Sequence, residues 1–368
     1  VPGKKSPNEK LHIAAVGANG KGMSDIMGCA GENIVALCDV DTTRCAEALS
    51  HFPEAKVYQD YRKMLDEMGG QIDACTVSCA DHMHAPAAYM AMKLGKHVYV
   101  QKPLTHTIAE ARLLTKTAHE MGVATQMGNQ GRSSDDLRRV VEIINSGQIG
   151  AIREVHLWSN RPIWPQGIAD PYPEEPIPAE MDWDAWLGCA PVRPYNKLYA
   201  PFKWRGWWDF GCGALGDMGC HIFNPVWAAL NLLDAKTFTV EALEQEGMTA
   251  QCLPNKSIIK YSIPGRGLLP PVDITWYDGG LQPKHPEGVP ETEELGKEKN
   301  GSLFIGERGI LTCGTSGGDA RLLPAERNKD LVEPPQYLPR IPKEDHSVNW
   351  LEACRGGQPA CSNFDLAG

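Results

Sequence analysis

The feature that most limits how this chain can fold is a glycine-rich turn at the end of its first apolar run. Leu11–Val16 leads directly into Gly17-Ala18-Asn19-Gly20-Lys21-Gly22. A β-rich run that ends in glycines and reopens as a helical pattern presents backbone amides at a helix N-terminus, where any Cβ would obstruct a phosphate. The match to G-x-G-x-x-G is imperfect, because Asn19 holds the second glycine position and Gly20 follows it. Its weight comes from context. The next apolar run, Asn33–Val40, carries Asp39, 22 residues after Gly17, where a carboxylate can bind ribose hydroxyls. Strand, turn, helix, strand and acid at this spacing predict a Rossmann unit that binds a dinucleotide. Asp39 favours NAD over NADP, since it would repel a 2′-phosphate; the nearby Arg44 tempers that preference.

The same texture continues. Ile72–Cys79 and His97–Val100 read as strands, each followed by a helix-length segment, and such alternation implies a parallel, doubly wound sheet. Thr107 and Glu110 form a capping box ahead of a stripe of Ile108, Ala111, Leu114 and Ala118. A chain of 368 residues exceeds one ordinary core. After a helix over Asp135–Asn145, Ile152–Trp158 opens a new β region. Ser257–Ile263, Val272–Tyr277, Ser302–Ile305 and Ile310–Thr312 then follow with Gly and Pro turns and few helices. This second part reads as an α+β domain with an open, largely antiparallel sheet. The expected division is 1–128 for the nucleotide and 129–368 for substrate binding and oligomerisation. The charged, Gly/Pro-rich segment 278–301 reads as a long surface loop, a candidate lid or subunit contact.

Composition excludes some classes. A formal charge of -10 offers no footprint for nucleic acid. No run approaches the roughly 18 apolar residues that span a bilayer; Phe223–Leu233 is interrupted by Asn224, Pro225 and Asn231. The twelve cysteines contain no C-x-x-C pair and read as buried thiols rather than zinc ligands or a disulfide framework. The start at Val1-Pro2-Gly3-Lys4-Lys5, without Met, is consistent with a removed leader, which would place the protein in the bacterial periplasm; otherwise it is cytoplasmic.

Two further segments carry chemistry. Lys102, after the strand His97–Val100, stands at the carboxyl end of a Rossmann strand, where nicotinamide lies. It reads as a proton shuttle or hydroxyl anchor, or else as an exposed lysine before the turn at Pro103. In Trp207 to His221, Asp217 and His221 are four residues apart and share a helical face. Together they can bind a sugar hydroxyl and take its proton. A plain helical pair is the alternative; a metal pair lacks further ligands nearby, so no metal is expected.

The stretch Gly95-Lys96-His97-Val98-Tyr99-Val100-Gln101-Lys102-Pro103-Leu104 resembles the G-K-H-V-x-x-E-K-P signature of the Gfo/Idh/MocA family, the glucose–fructose oxidoreductases, inositol dehydrogenases and relatives. Asp217 to His221 resembles its D-x-x-x-H motif. The similarity runs from Leu11 to about Asn363, through Asp81-His82-Met83-His84-Ala85, Gln126-Met127-Gly128-Asn129-Gln130 and His346-Ser347-Val348-Asn349-Trp350. The resemblance implies nucleotide contacts at Gly17, Asn19, Gly20, Lys21, Gly22 and Asp39, extended by Asp81, His82, His84, Gln101, Lys102 and Gln130. It makes Lys102 the catalytic lysine, with Asp217 and His221 as substrate carboxylate and general base. Arg161, Trp164, Trp204, Trp207, Trp208 and His346 are candidates for clamping the substrate, although core packing competes for every tryptophan. Gln101 departs from the usual glutamate of E-K-P, and Lys102-Pro103 is a candidate cis bond. The chain also stops soon after Phe364, short of the last helix and tail expected of longer relatives.

The implied activity is NAD(P)-dependent oxidation of a sugar, glycoside or cyclitol hydroxyl. An NAD-dependent glycosidase, which oxidises transiently and then eliminates, uses the same residues. A homo-oligomer, dimer or tetramer, is expected through the open sheet.

Overall fold

The computed structural model describes residues 9–368; the Val1–Lys5 tail lies outside the described residues. Six strands, β1 (His12–Val16), β2 (Asn33–Cys38), β3 (Lys56–Tyr58), β4 (Ala74–Val77), β5 (His97–Val100) and β6 (Thr125–Met127), form one parallel sheet in the order 3-2-1-4-5-6. The connecting helices are α1 (Lys21–Gly28), α2 (Ala46–His51), α3 (Tyr61–Met68), α4 (His84–Lys93) and α5 (Ile108–Met121). Strand order reverses between β1 and β4, and in doubly wound sheets the ligand crevice opens at that point. The expected capping box is present on α5, where the Thr107 hydroxyl accepts from the Glu110 amide and the Glu110 carboxylate accepts from the Thr107 amide.

Beyond α6 (Asp135–Asn145), strand β7 (Ile152–Trp158) enters a second sheet. A long connection then carries α7 (Trp183–Leu187) and α8 (Gly213–Ala229). The sheet is completed by β8 (Thr239–Glu246), β9 (Lys256–Ile263), β10 (Val272–Tyr277), β11 (Gly301–Gly306), β12 (Ile310–Cys313) and β13 (Arg321–Leu323), in the order 13-12-11-7-10-9-8. Only the β7–β10 pair is parallel. Val140 and Ile143 of α6 and Ile222 and Val226 of α8 cover one face, against Val155, Ile274, Trp276 and Phe304. This packing fixes α8, and with it Asp217 and His221.

Two readings from sequence are corrected by packing. The C-terminal segment, counted with the second domain, returns to the first sheet: Trp350 of α9 (His346–Cys354) packs with Ile13, Ile26 and Leu37, and Phe364 of α10 (Phe364–Ala367) with Val98 and Leu114. Segment 278–301 is no free surface loop. Val289 and Leu295 are buried with Trp158, Leu303 and Leu323, so apolar anchors hold it on the second sheet. Among the described residues no helix is long and apolar enough to cross a membrane.

Candidate active site

One wall of the crevice is backbone. Gly17 has φ 89°, and a Cβ there would lie 2.6 Å from the Ser78 carbonyl oxygen; a Cβ on Gly22 would lie 2.1 Å from the Gly17 carbonyl oxygen. Turn, helix and β4 therefore approach as closely as backbones can, which only glycine allows. Gly20 (φ 56°) precedes α1, and nothing stands within 4 Å of where its Cβ would be. Asp39 closes this wall: its Oδ2 accepts from the Ala18 amide (3.1 Å) and its Oδ1 from the Asp41 amide (3.2 Å), with Arg44 Nε 3.6 Å from Oδ2. Burial pushes the Asp39 carboxyl pKa up, and the two amides oppose that. Gly17, Asn19, Gly20, Lys21, Asp39 and Arg44 line a cavity of about 810 Å³, a cradle that fits a dinucleotide.

The facing wall comes from the long connection after β7. Pro178, Met181, Trp186, Tyr195, Pro201 and Phe202 line the same cavity. This strap is tied to the first sheet: the Asp182 amide donates to the Val40 carbonyl (2.8 Å), Met181 bridges Asp41, and the Gln59 side-chain amide donates to the carbonyls of Val40 (3.0 Å) and Glu180 (2.9 Å). An aromatic cluster of Trp183, Trp186, Tyr199, Trp204, Trp207 and Phe210, packed on Ala80, stiffens it. Two of the four tryptophans that the sequence offers as sugar clamps, Trp204 and Trp207, thus form part of this core.

At the cavity's inner end stands Arg205, one of its lining residues, and it leads to the cluster around Asp217. Lys102 Nζ donates to Asp217 Oδ1 (2.7 Å) and to the Asp217 carbonyl (3.0 Å). Arg205 Nε lies 3.5 Å from Oδ1, and Arg161 Nε lies 3.6 Å from Oδ2. The ring of His221, one turn along α8, makes no side-chain hydrogen bond among the described residues and is free to receive one from a ligand. Burial, then repulsion from Lys102, lowers its pKa to about 4, against the pull of Asp217, so the imidazole is neutral and can accept a proton. The Lys102-Pro103 bond is cis.

Gln101 is explained by Asp25, which sequence reading passed over. The Gln101 amide donates to Asp25 Oδ2 (2.8 Å), which also accepts from Ser78 (2.8 Å), while Lys21 holds Oδ1 (2.7 Å). A glutamate at 101 would set two carboxylates against each other. The negative charge expected there has moved to α1, and burial raises the Asp25 pKa.

Other candidates lie around or beyond this constellation. Asp81 is buried below it, accepting from the Cys212 amide (3.2 Å), and burial pushes its pKa up to about 7. His82 packs on Trp186 and Phe210 with Nε2 at the Trp186 carbonyl (3.0 Å). His84 sits between the Pro103 and Cys79 carbonyls, of which a neutral ring can donate to only one; burial pushes its pKa down to about 4. Gln130 donates to the Tyr99 hydroxyl (2.9 Å). His346 is enclosed by the Met127 carbonyl (2.8 Å) and Ser133 (2.6 Å), pinning α9 to the first sheet rather than facing the crevice. Trp164 is buried on Gln166, and Trp208 is exposed, its indole donating to the Thr249 carbonyl. Arg205, by contrast, was missed: only its neighbours Trp204 and Trp207 drew attention.

The chain matches the oxidoreductase-family NAD-binding Rossmann model over residues 11–129 and the oxidoreductase-family C-terminal alpha/beta domain model over residues 149–262. It is 29% identical over 128 residues to an inositol 2-dehydrogenase of Salmonella typhimurium, covering 34% of this chain and 38% of that one. To a scyllo-inositol 2-dehydrogenase (NADP(+)) of Bacillus subtilis it is 26% identical over 213 residues, covering 58% of this chain and 49% of that one. The matches thus span less than half of those curated relatives. A WlbA dehydrogenase from Bordetella pertussis, solved with NADH and UDP-GlcNAcA, shares the fold at a TM-score of 0.61 and 16% identity, over 97% of this chain and 92% of that one.

Proposed function

This chain belongs to the Gfo/Idh/MocA oxidoreductase family, and on that premise we propose that it is an NAD-dependent dehydrogenase acting on a hydroxyl of a sugar, glycoside or cyclitol. The observation that carries the reading is the meeting of Lys102, from the end of β5, with Asp217 and His221 of α8, beside the glycine-lined cavity. Gly17 to Gly22 would hold the pyrophosphate and Asp39 a ribose, which is the ground for preferring NAD. A bound oxidised nicotinamide supplies the hydride acceptor. Neutral His221 takes the hydroxyl proton, and Lys102, oriented by Asp217, donates to the oxygen as it becomes a carbonyl.

The test is NADH formation when the purified protein is given NAD and a panel of sugars, cyclitols and nitrophenyl glycosides. Net NADH from a free sugar supports the proposal; release of nitrophenol without net NADH replaces it with the elimination route. The self-association expected of the open sheet belongs to this reading too, with Phe238, Val240 and Leu243 exposed at its β8 edge. Light scattering that gives a monomer at micromolar concentration would count against it.

A further inference from the structure

The charges around Asp217 do not balance. Three cations, Lys102, Arg161 and Arg205, are ion-paired to this carboxylate, and among the described residues it is the only one paired to any of them. Lys102 holds the close contact at 2.7 Å; the guanidinium nitrogens stand off at 3.5 and 3.6 Å. Arg161 Nε is buried without a hydrogen-bond partner. Arg205 is fixed over Trp204 and Phe202, at 4.3 and 4.5 Å from the ring centroids. All three side chains are largely shielded, and a guanidinium stays charged at any working pH. Three cations against Asp217 and the buried Asp81 leave an excess of positive charge in a sheltered site, which is costly unless an anion completes it. The buried acid nearby, Asp81, accepts from the Cys212 amide and feels the charges of Arg205 and Lys102, but forms an ion pair with neither.

We infer that the substrate carries a compact anionic group, a carboxylate or a phosphate on the sugar or cyclitol, bound between Arg161 and Arg205 while Lys102 and His221 attend to the reacting hydroxyl. This rests on the dehydrogenase reading and narrows it. Planar guanidinium forks match either oxyanion in a bidentate manner; Arg205 is held by the Trp204 and Phe202 rings and the Phe202 carbonyl, and Arg161 donates to the Asn160 side chain.

The experiment compares matched pairs on NAD-loaded protein: D-glucuronate and D-glucose 6-phosphate against D-glucose, D-galacturonate against D-galactose, and myo-inositol 1-phosphate against myo-inositol. Expected is a kcat/KM at least about tenfold higher for an acidic member than for its neutral parent, with the winning member distinguishing carboxylate from phosphate. Arg161→Gln and Arg205→Gln should each cut that ratio about fivefold or more, with circular dichroism showing both variants folded. Turnover of neutral members as fast as their acidic partners overturns the inference and leaves the dehydrogenase reading intact. An acid preference unchanged in both variants overturns the assignment to these arginines. No NADH from any member, with NAD bound, overturns the dehydrogenase reading and this inference with it.

Discussion

Residues 17–39 hold their groups within one strand-turn-helix-strand unit, whereas the cluster around Asp217 draws Lys102, Arg161, Arg205, Asp217 and His221 from separate stretches of chain. In the first, the backbone is the functional surface and glycine the functional residue, so position follows from local geometry. In the second, side chains work in concert and their positions follow from how α8 packs on the second sheet and how the aromatic cluster packs on Ala80. The first wall should therefore show independent effects on cofactor binding, and the second coupled effects on turnover.

The largest expected effect tests that coupling. His221→Ala and Lys102→Met should each lower turnover roughly 10²–10⁴-fold while NAD affinity stays nearly constant, and the double variant should lose less than the product. Full additivity in steady-state kinetics would show that the two act in separate steps. On the other wall, Asp39→Ala should weaken NAD roughly 10–100-fold in calorimetry and NADP less, with turnover at saturating cofactor little changed. Equal losses for both nucleotides would remove the basis for preferring NAD.

A smaller effect is read by pH. Burial holds His82, against the aromatic cluster, and His346, beneath the first sheet, near pKa 4, below the ordinary 6.5. Between those values the unfolded chain binds more protons than the folded one, so stability falls as pH drops from 6.5 toward 4. Asp81, raised to about 7 by burial, acts in the opposite sense from pH 7 downward and offsets part of the loss. A Tm lower by roughly 5 °C or more at pH 4.5 than at pH 6.5 is expected, and His346→Gln should reduce the difference. The smallest effect is a sharpening one: Trp208→Ala should leave turnover within about twofold, because its ring is exposed and stands apart from the Asp217 cluster.

The contrast also explains what the sequence could show. Gly17 to Gly22 and Asp39 were legible because a periodic pattern fixes them on adjacent strands, and Asp217 with His221 because four residues make a helical turn. The strands Lys56–Tyr58 and Arg321–Leu323 are too short to leave a pattern. Arg205 lies in an irregular segment, with no periodicity to aim it, and its approach to Asp217 follows from tertiary packing alone. Asp25 carries no mark in the sequence, and its role follows only from the approach of Gln101 and Ser78. The histidines are the opposite case: His346 lies in a segment shared with the family, and its polar contacts tie the C-terminal helix to the first sheet.

The strap over the cavity has a kinetic consequence. A nucleotide lying along Gly20 and Asp39 would share its cavity with Met181, Trp186 and Pro201, and if it left past them the Asp182–Val40 and Gln59–Glu180 bonds would have to part. Residence time would then depend on how long the strap stays latched to the first sheet as well as on affinity at the phosphates. Gln59, remote from every reacting atom, becomes a timer that fixes how many substrate molecules one nucleotide serves before it is exchanged.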